Sequence, residues 1–308
     1  MDIKVILFSM IQLFLVMAVG YVLYKIKILD ADFNKKLTKL LLNVTLPALI
    51  ISSVMGSGQI KQATPVWFVF LMAVIIYAVF PVIGFIVVKL LRIKKNEQGL
   101  YMFMIAFSNV AFMGIPVMNA IYGPESIFYL TIYNMLFNLC LYLYGSALMS
   151  YGTGVKTKFN IKQLINPGII SGIIALVIYF LNIQVHTVIV DSLSMIGGLT
   201  TPIAMMIIGS TLAKLPFKDI FNEWHIYPFT IVKQIIIPVI AYPILKLVIS
   251  DPLLLGVTLI MIAMPVANSA VLFATEYNGD EALAAKTVCI TTLLSIITIP
   301  VIVALFLA

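Results

Sequence analysis

Ten long apolar runs, separated by short polar or charged stretches, organise this chain from end to end. A helix that crosses a bilayer needs roughly 17–25 mostly apolar residues. On that ruler the runs fall at 5–24, 37–56, 65–88, 99–121, 126–151, 164–183, 188–212, 226–248, 252–275 and 283–307. The pattern predicts an all-α, multi-pass membrane protein of ten spans. Only Lys4 precedes the first run, and no small-residue cleavage motif follows it, so it reads as a first span and not as a removable leader.

The basic residues test this count independently. Loops that follow odd-numbered spans hold fifteen: Lys25, Lys27, Lys35, Lys36, Lys39, Lys89, Arg92, Lys94, Lys95, Lys156, Lys158, Lys162, Lys214, Lys218 and Lys286. The other loops and the termini hold three, Lys4, Lys61 and Lys246. Cytoplasmic loops are the ones enriched in Lys and Arg, so both termini are expected outside. One basic residue is left over, Lys233, inside the eighth run.

Composition narrows the class further. Hydrophobic residues make up 62% of 308 positions and charged residues 10%, against about 25% charged in a soluble domain. The net charge of +7 therefore reflects topology, and a nucleic-acid partner is not expected. Cys140 and Cys289 lie in apolar stretches and behave as small hydrophobes rather than as a disulfide framework. No phosphate loop, HExxH helix, Cys/His cluster or Ser-His-Asp set can be assembled, so neither an enzyme nor a cofactor or metal is expected.

The two halves, 1–155 and 156–308, resemble each other. TLPALI (45–50) is matched by TTPIAM (200–205), MIAFSN (104–109) by MIAMPV (261–266), and Pro81 by Pro238, at offsets of 155 to 157. Five spans per half is an odd number, so the copies must insert with opposite orientation, as in many secondary transporters.

Helix breakers inside spans point to the transport site of such a carrier. The fourth run carries Ser108, Asn109, Gly114 and Pro116, and the ninth carries Pro265, Asn268 and Ser269. Proline removes a backbone donor and frees a carbonyl one turn back. The half-helix starts then offer N–H groups and partial positive charge to a carboxylate. Asn43 and Thr45 in the second run, beside Pro47, and Thr200, Thr201 and Pro202 in the seventh form a second symmetric pair, suited to hinging or to substrate contact. Asn134 and Asn138, one turn apart in the fifth run, share a face expected to point inward. All twelve acids lie in loops or at helix ends, and His186 and His225 are near span ends, so a carboxylate or histidine proton relay at the midplane is not expected. Lys233, about 10 Å inside its span, either snorkels to the interface, faces a cavity and attracts anions, or pairs with Glu276.

At these residues the sequence resembles the auxin efflux carrier family, which includes bacterial malate and malonate permeases and plant auxin exporters. The similar stretches are NVTLPALI (43–50), SNVAFMGIP (108–116), NPGIISG (166–172), TPIAMMIIGSTLA (201–213) and MPVANSAVLFATEYNGDE (264–281). The resemblance implies a ten-helix inverted repeat with outward termini. It also implies a scaffold of spans 1, 2, 6 and 7 and a transport domain of spans 3–5 and 8–10, whose broken fourth and ninth helices cross at Ser108, Asn109, Pro265 and Asn268. Homodimers are common in that family. Plant carriers usually have a proline where this chain has Ser108, and an acid and a lysine in the third span, where 65–81 has neither. Those departures favour a short mono- or dicarboxylate over auxin. The expected function is an alternating-access secondary transporter for a small organic anion in an inner or plasma membrane. The alternative is a channel or signalling protein on the same scaffold.

Overall fold

The computed structural model describes residues 3–55, 64–151, 166–214 and 223–307. The boundary between the two sequence halves, the ends of the second and sixth runs at 56 and 164–165, and Lys61, Lys156, Lys158, Lys162 and Lys218 lie outside them. Apart from one isolated antiparallel bridge, the described residues form helices, turns and loops.

The helices are α1 (Ile3–Lys25), α2 (Ala31–Met55), α3 (Val66–Leu90), α4 (Gln98–Ala106), α5 (Val110–Tyr122), α6 (Glu125–Met149), α7 (Pro167–Leu181), α8 (Thr187–Lys214), α9 (Ile226–Val248), α10 (Pro252–Ala263), α11 (Ser269–Glu276) and α12 (Glu281–Phe306). Among the described residues, seven of them are long and apolar enough to cross a membrane: α1, α2, α3, α6, α8, α9 and α12. The fourth run is divided between α4 and α5, and the ninth between α10 and α11, with extended backbone between the pieces. The second helix starts at Ala31, six residues before the run that hydropathy marks. Asp30 caps it by accepting from the Phe33 N–H at 2.7 Å. Its first turns carry Lys35, Lys36 and Lys39, which a search for apolar residues passes over.

Several acids that sequence places at helix ends work there as caps. Asp251 accepts from Leu253 N at 2.9 Å and Asp280 from Leu283 N at 2.8 Å, each satisfying a donor that the first helical turn leaves free. The other oxygen of Asp251 accepts from Thr64 Oγ1 and Tyr129 OH, both at 2.7 Å, so one carboxylate also joins the start of α10 to α6 and to the approach to α3.

Prolines account for three of the wide turns, in α2, α5 and α9, while a fourth, Leu141–Gly145 in α6, has no proline beside it. The π turns Leu41–Thr45, Val110–Gly114 and Val232–Ile236 each end two residues before a proline, Pro47, Pro116 and Pro238. A proline has no N–H for the carbonyl four residues back, and the helix widens where that bond is missing. Pro202 follows the loosened turn at Leu199 in α8 by three residues.

Packing is most extensive between a few helix pairs, although α1 also touches α5 and α12, and α6 touches α7. α1 packs most extensively on α8, and α2 on α7 and α8. α3 packs on α4 and α6, α9 on α10, and α12 on α10 and α11. Glycine permits the closest approach: a Cβ at Gly20 would stand 2.6 Å from the Met206 Cα, and one at Gly209 would meet the Met17 carbonyl. Small residues serve this purpose where lipid supplies no hydrophobic drive between helices. Outward faces stay apolar, as at Leu247, which is 88% exposed, and along Leu71, Val79, Val82 and Ile86 of α3. A bilayer solvates such faces, and water does not.

Candidate functional site

The two interrupted helices meet at their breaks. Asn109 N–H donates to the Pro265 carbonyl at 2.8 Å, and Ala267 N–H donates to the Phe107 carbonyl at 3.1 Å, around the bridge between Ser108 and Val266. These bonds answer the backbone groups that the interrupted helices release, which is what makes irregular chain tolerable inside an apolar core. Phe107 is clasped by rings from two helices: Phe103 of α4 at 4.7 Å, and Phe137 and Tyr144 of α6, each at 5.5 Å between centroids.

Two further residues hold the crossing, and α9 supplies both. Its π turn places Lys233 and Gln234 side by side in the core. Lys233 Nζ lies 3.0 Å from Ser108 Oγ and 3.4 Å from the Ile105 carbonyl, in the last turn of α4. Gln234 Nε2 donates to the Thr291 carbonyl at 2.7 Å, and Thr291 Oγ1 accepts from Val266 N–H at 3.2 Å. One wide turn of α9 thus reaches the break of the fourth span directly and that of the ninth through α12. Lys233 neither snorkels nor pairs with Glu276; its ammonium is packed against Ser108 and the Ile105 carbonyl. It is 2% exposed, and Ser108, where plant carriers have proline, is its partner.

Two polar side chains at the crossing are left without partners. Asn109 is 3% exposed, and its Nδ2 has no hydrogen-bond partner; Ser269 Oγ, at the start of α11, has none either. A buried amide donor left unanswered is rare enough to require an explanation. Asn268 and Ser269 open α11, and Gly114 and Pro116 lie in α5 directly beyond the break, so Ser108, Asn109, Gly114, Pro116, Lys233, Pro265, Asn268 and Ser269 belong to one crossing.

The remaining predicted residues lie apart from these contacts. Asn43 is exposed and donates to the Lys39 carbonyl at 2.7 Å within its own helix. Thr45 is buried with its hydroxyl unpaired. Asn134 and Asn138 face the start of α7: a Cβ at Gly168 would lie 3.7 and 3.8 Å from their amide nitrogens. A cleft of about 460 Å³ opens between α2, α8 and the α5–α6 turn, with Ser52, Ser53, Asn119, Glu125 and Ser194 in its walls. Neither Asn109 nor Lys233 lines it.

Thr291 and Gln234 did not stand out in the sequence. The signal for Thr291 is the spacing of Thr287, Thr291, Ser295 and Thr298, which puts a buried hydroxyl stripe on one face of the last apolar helix. Thr291→Val keeps the shape but leaves Val266 N–H unpaired, and is expected to lower stability by about 1–3 kcal/mol. Thr292→Val removes a hydroxyl that has no partner and is the matched control. Thermal melts of the two purified variants check the difference.

Comparison with known proteins bears on what the crossing is for. A family model described as a membrane transport protein matches residues 5–157 and 152–303. An uncharacterized transporter of Methanocaldococcus jannaschii is 26% identical over 291 residues, covering 91% of this chain and 92% of that one. A Rhizobium meliloti protein named "putative malonate transporter" is 24% identical over 265 residues, covering 83% and 82%. With both halves of the chain matched and its apolar helices built to cross a bilayer several times, this integral membrane protein belongs to the auxin-efflux-carrier-like membrane transport protein family, whose members are transporters and not enzymes.

Proposed function

We propose that the chain is an alternating-access carrier for a small organic anion, a mono- or dicarboxylate, received at the crossing of the broken helices. The observation that carries this reading is the buried, unpartnered amide of Asn109, next in the chain to the Ser108 that holds the Lys233 ammonium and at the start of α5. A carboxylate placed there accepts from the amide and from helix-start N–H groups.

The architecture that goes with this reading is ten spans in two inverted five-helix halves, 1–155 and 156–308, with both termini outside and residence in the inner or plasma membrane. Counting α4 with α5 and α10 with α11 as single interrupted crossings supports ten. The bridged residues Ser108 and Val266 stand 158 positions apart, close to the offset between the sequence halves. The α1, α2, α7, α8 group is then the scaffold and the rest the transport domain. A crossing whose key side chains are 2–3% exposed suits a carrier that must rearrange better than an open pore. The name of the Rhizobium relative supports a short dicarboxylate as the first candidate.

Ligand-induced thermal stabilisation of the purified protein tests the reading with malonate, malate, succinate, lactate, pyruvate and an indole acid, each with and without sodium. A ligand at a hundred times its Kd stabilises the state it binds by about 2.7 kcal/mol. The expected result is a raised melting temperature with at least one short carboxylate. Stabilisation by neutral or cationic solutes alone sinks the reading.

A further inference from the structure

Lys233 is the one buried charged side chain among the described residues. Its ammonium meets two neutral acceptors, Ser108 Oγ at 3.0 Å and the Ile105 carbonyl at 3.4 Å. The ion pairs among the described residues, Lys36–Asp32, Lys94–Glu97 and Lys286–Glu223, leave it out. The Ile105 carbonyl belongs to the last turn of α4, where the partial negative charge of a helix end favours a cation. That placement orients the ammonium without neutralising it. A charge held in the core needs a counter-charge, and among the described residues no carboxylate pairs with it.

The mechanical setting matters as much as the electrostatic one. Lys233 touches the break of the fourth span, and its neighbour Gln234 is tied through Thr291 to the break of the ninth. α9 itself packs on α10 and α12. Whatever moves the crossing moves Lys233 with it.

We infer that Lys233 is a resident counter-charge that travels with the substrate, so that the loaded mobile part is one charge less negative than the anion alone. This rests on the carrier reading and adds its charge balance. Empty, the mobile part carries +1 from Lys233; with lactate bound it carries none, and with malonate dianion it carries −1. The membrane potential then acts on the return of the empty carrier during net lactate flux, and it leaves lactate–lactate exchange untouched. Sodium has no charge to supply at this site.

The test is flux of labelled lactate and malonate in proteoliposomes at neutral pH, with the potential set by potassium and valinomycin and proton movement followed by an internal dye. One elementary charge crossing the full field shifts the inward–outward equilibrium about fifty-fold per 100 mV. In the unaltered protein, lactate exchange is expected to be independent of potential and malonate exchange dependent on it. Lys233→Gln and Lys233→Met should each make the loaded step more negative by one charge, so that lactate exchange becomes voltage-dependent. Lys233→Arg should keep the original behaviour. The unaltered protein decides the question even where the neutral variants fail to fold. Voltage-dependent lactate exchange in it, unchanged voltage dependence in the neutral variants, or one proton carried with each lactate overturns the inference. Absence of flux for every carboxylate that binds would instead overturn the carrier reading beneath it.

Discussion

Gly209→Val is expected to prevent the protein from assembling to its native stability. α1 and α8 approach most closely where Gly20 faces Met206 and Gly209 faces Met17, and the atoms met by an added Cβ are backbone atoms. A flexible side chain could rotate away from the new carbon; a carbonyl in the middle of a packed helix cannot. Helix α1 would have to shift along its whole contact with α8, the most extensive helix pair in the fold. Overpacking of this kind costs about 3 kcal/mol, and more where the backbone cannot relax. A β-branched residue adds two further atoms to the same space. The expected result is a loss of monodisperse protein after extraction, or a melting temperature lowered by many degrees. Gly198→Ala is the control: a Cβ there meets nothing within 4 Å, and helix propensity alone favours the change by about 1 kcal/mol. Equal behaviour of the two variants would mean that α1 and α8 are not joined in this way.

The value of these glycines could not be seen in the sequence. Gly209 stands in a stretch that resembles the family, but its partner on α1 lies almost two hundred positions away. Hydropathy locates helices because the bilayer demands length and apolarity from each one separately. It locates the breaks too, since Pro265 and the polar pair Ser108 and Asn109 interrupt otherwise apolar runs. It is silent on rotation about the helix axis, which is decided by neighbours. Asn134 and Asn138 share one face of α6, and that face meets the start of α7 and not the crossing. Lys233 had three plausible destinations because a long side chain in an apolar helix satisfies itself in several ways. Its partners are 125 and 128 residues away, and the wide turn that aims it depends on Pro238. The start of α2 at Ala31 was hidden by its lysines, whose charge belongs to the membrane surface.

Asn109→Ala is expected to abolish carboxylate-induced stabilisation while leaving the empty protein as stable as before. The two halves of that statement have one cause. Asn109 holds the crossing through its main chain: its N–H donates to Pro265 and its carbonyl accepts from Gly114 N–H at 2.9 Å. Alanine keeps both bonds. The amide Nδ2 has no partner, so removing it forfeits no hydrogen bond and relieves a buried donor that costs about 1–3 kcal/mol to leave unmet. The melting temperature of the variant without ligand should therefore match or slightly exceed that of the parent. With a carboxylate present the balance reverses, because a hydrogen bond to a charged acceptor contributes about 1.5–3 kcal/mol, or roughly ten- to a hundredfold in Kd. Asn109→Asp should bind more weakly still, since it sets a second negative charge against the ligand. Retained stabilisation in Asn109→Ala would move the anion away from the crossing, and the cleft beside Ser52 and Ser194 would become the place to look. Lost stabilisation together with a lower melting temperature of the empty protein would instead assign Asn109 to the architecture, with its amide answered by a partner in the membrane-embedded state.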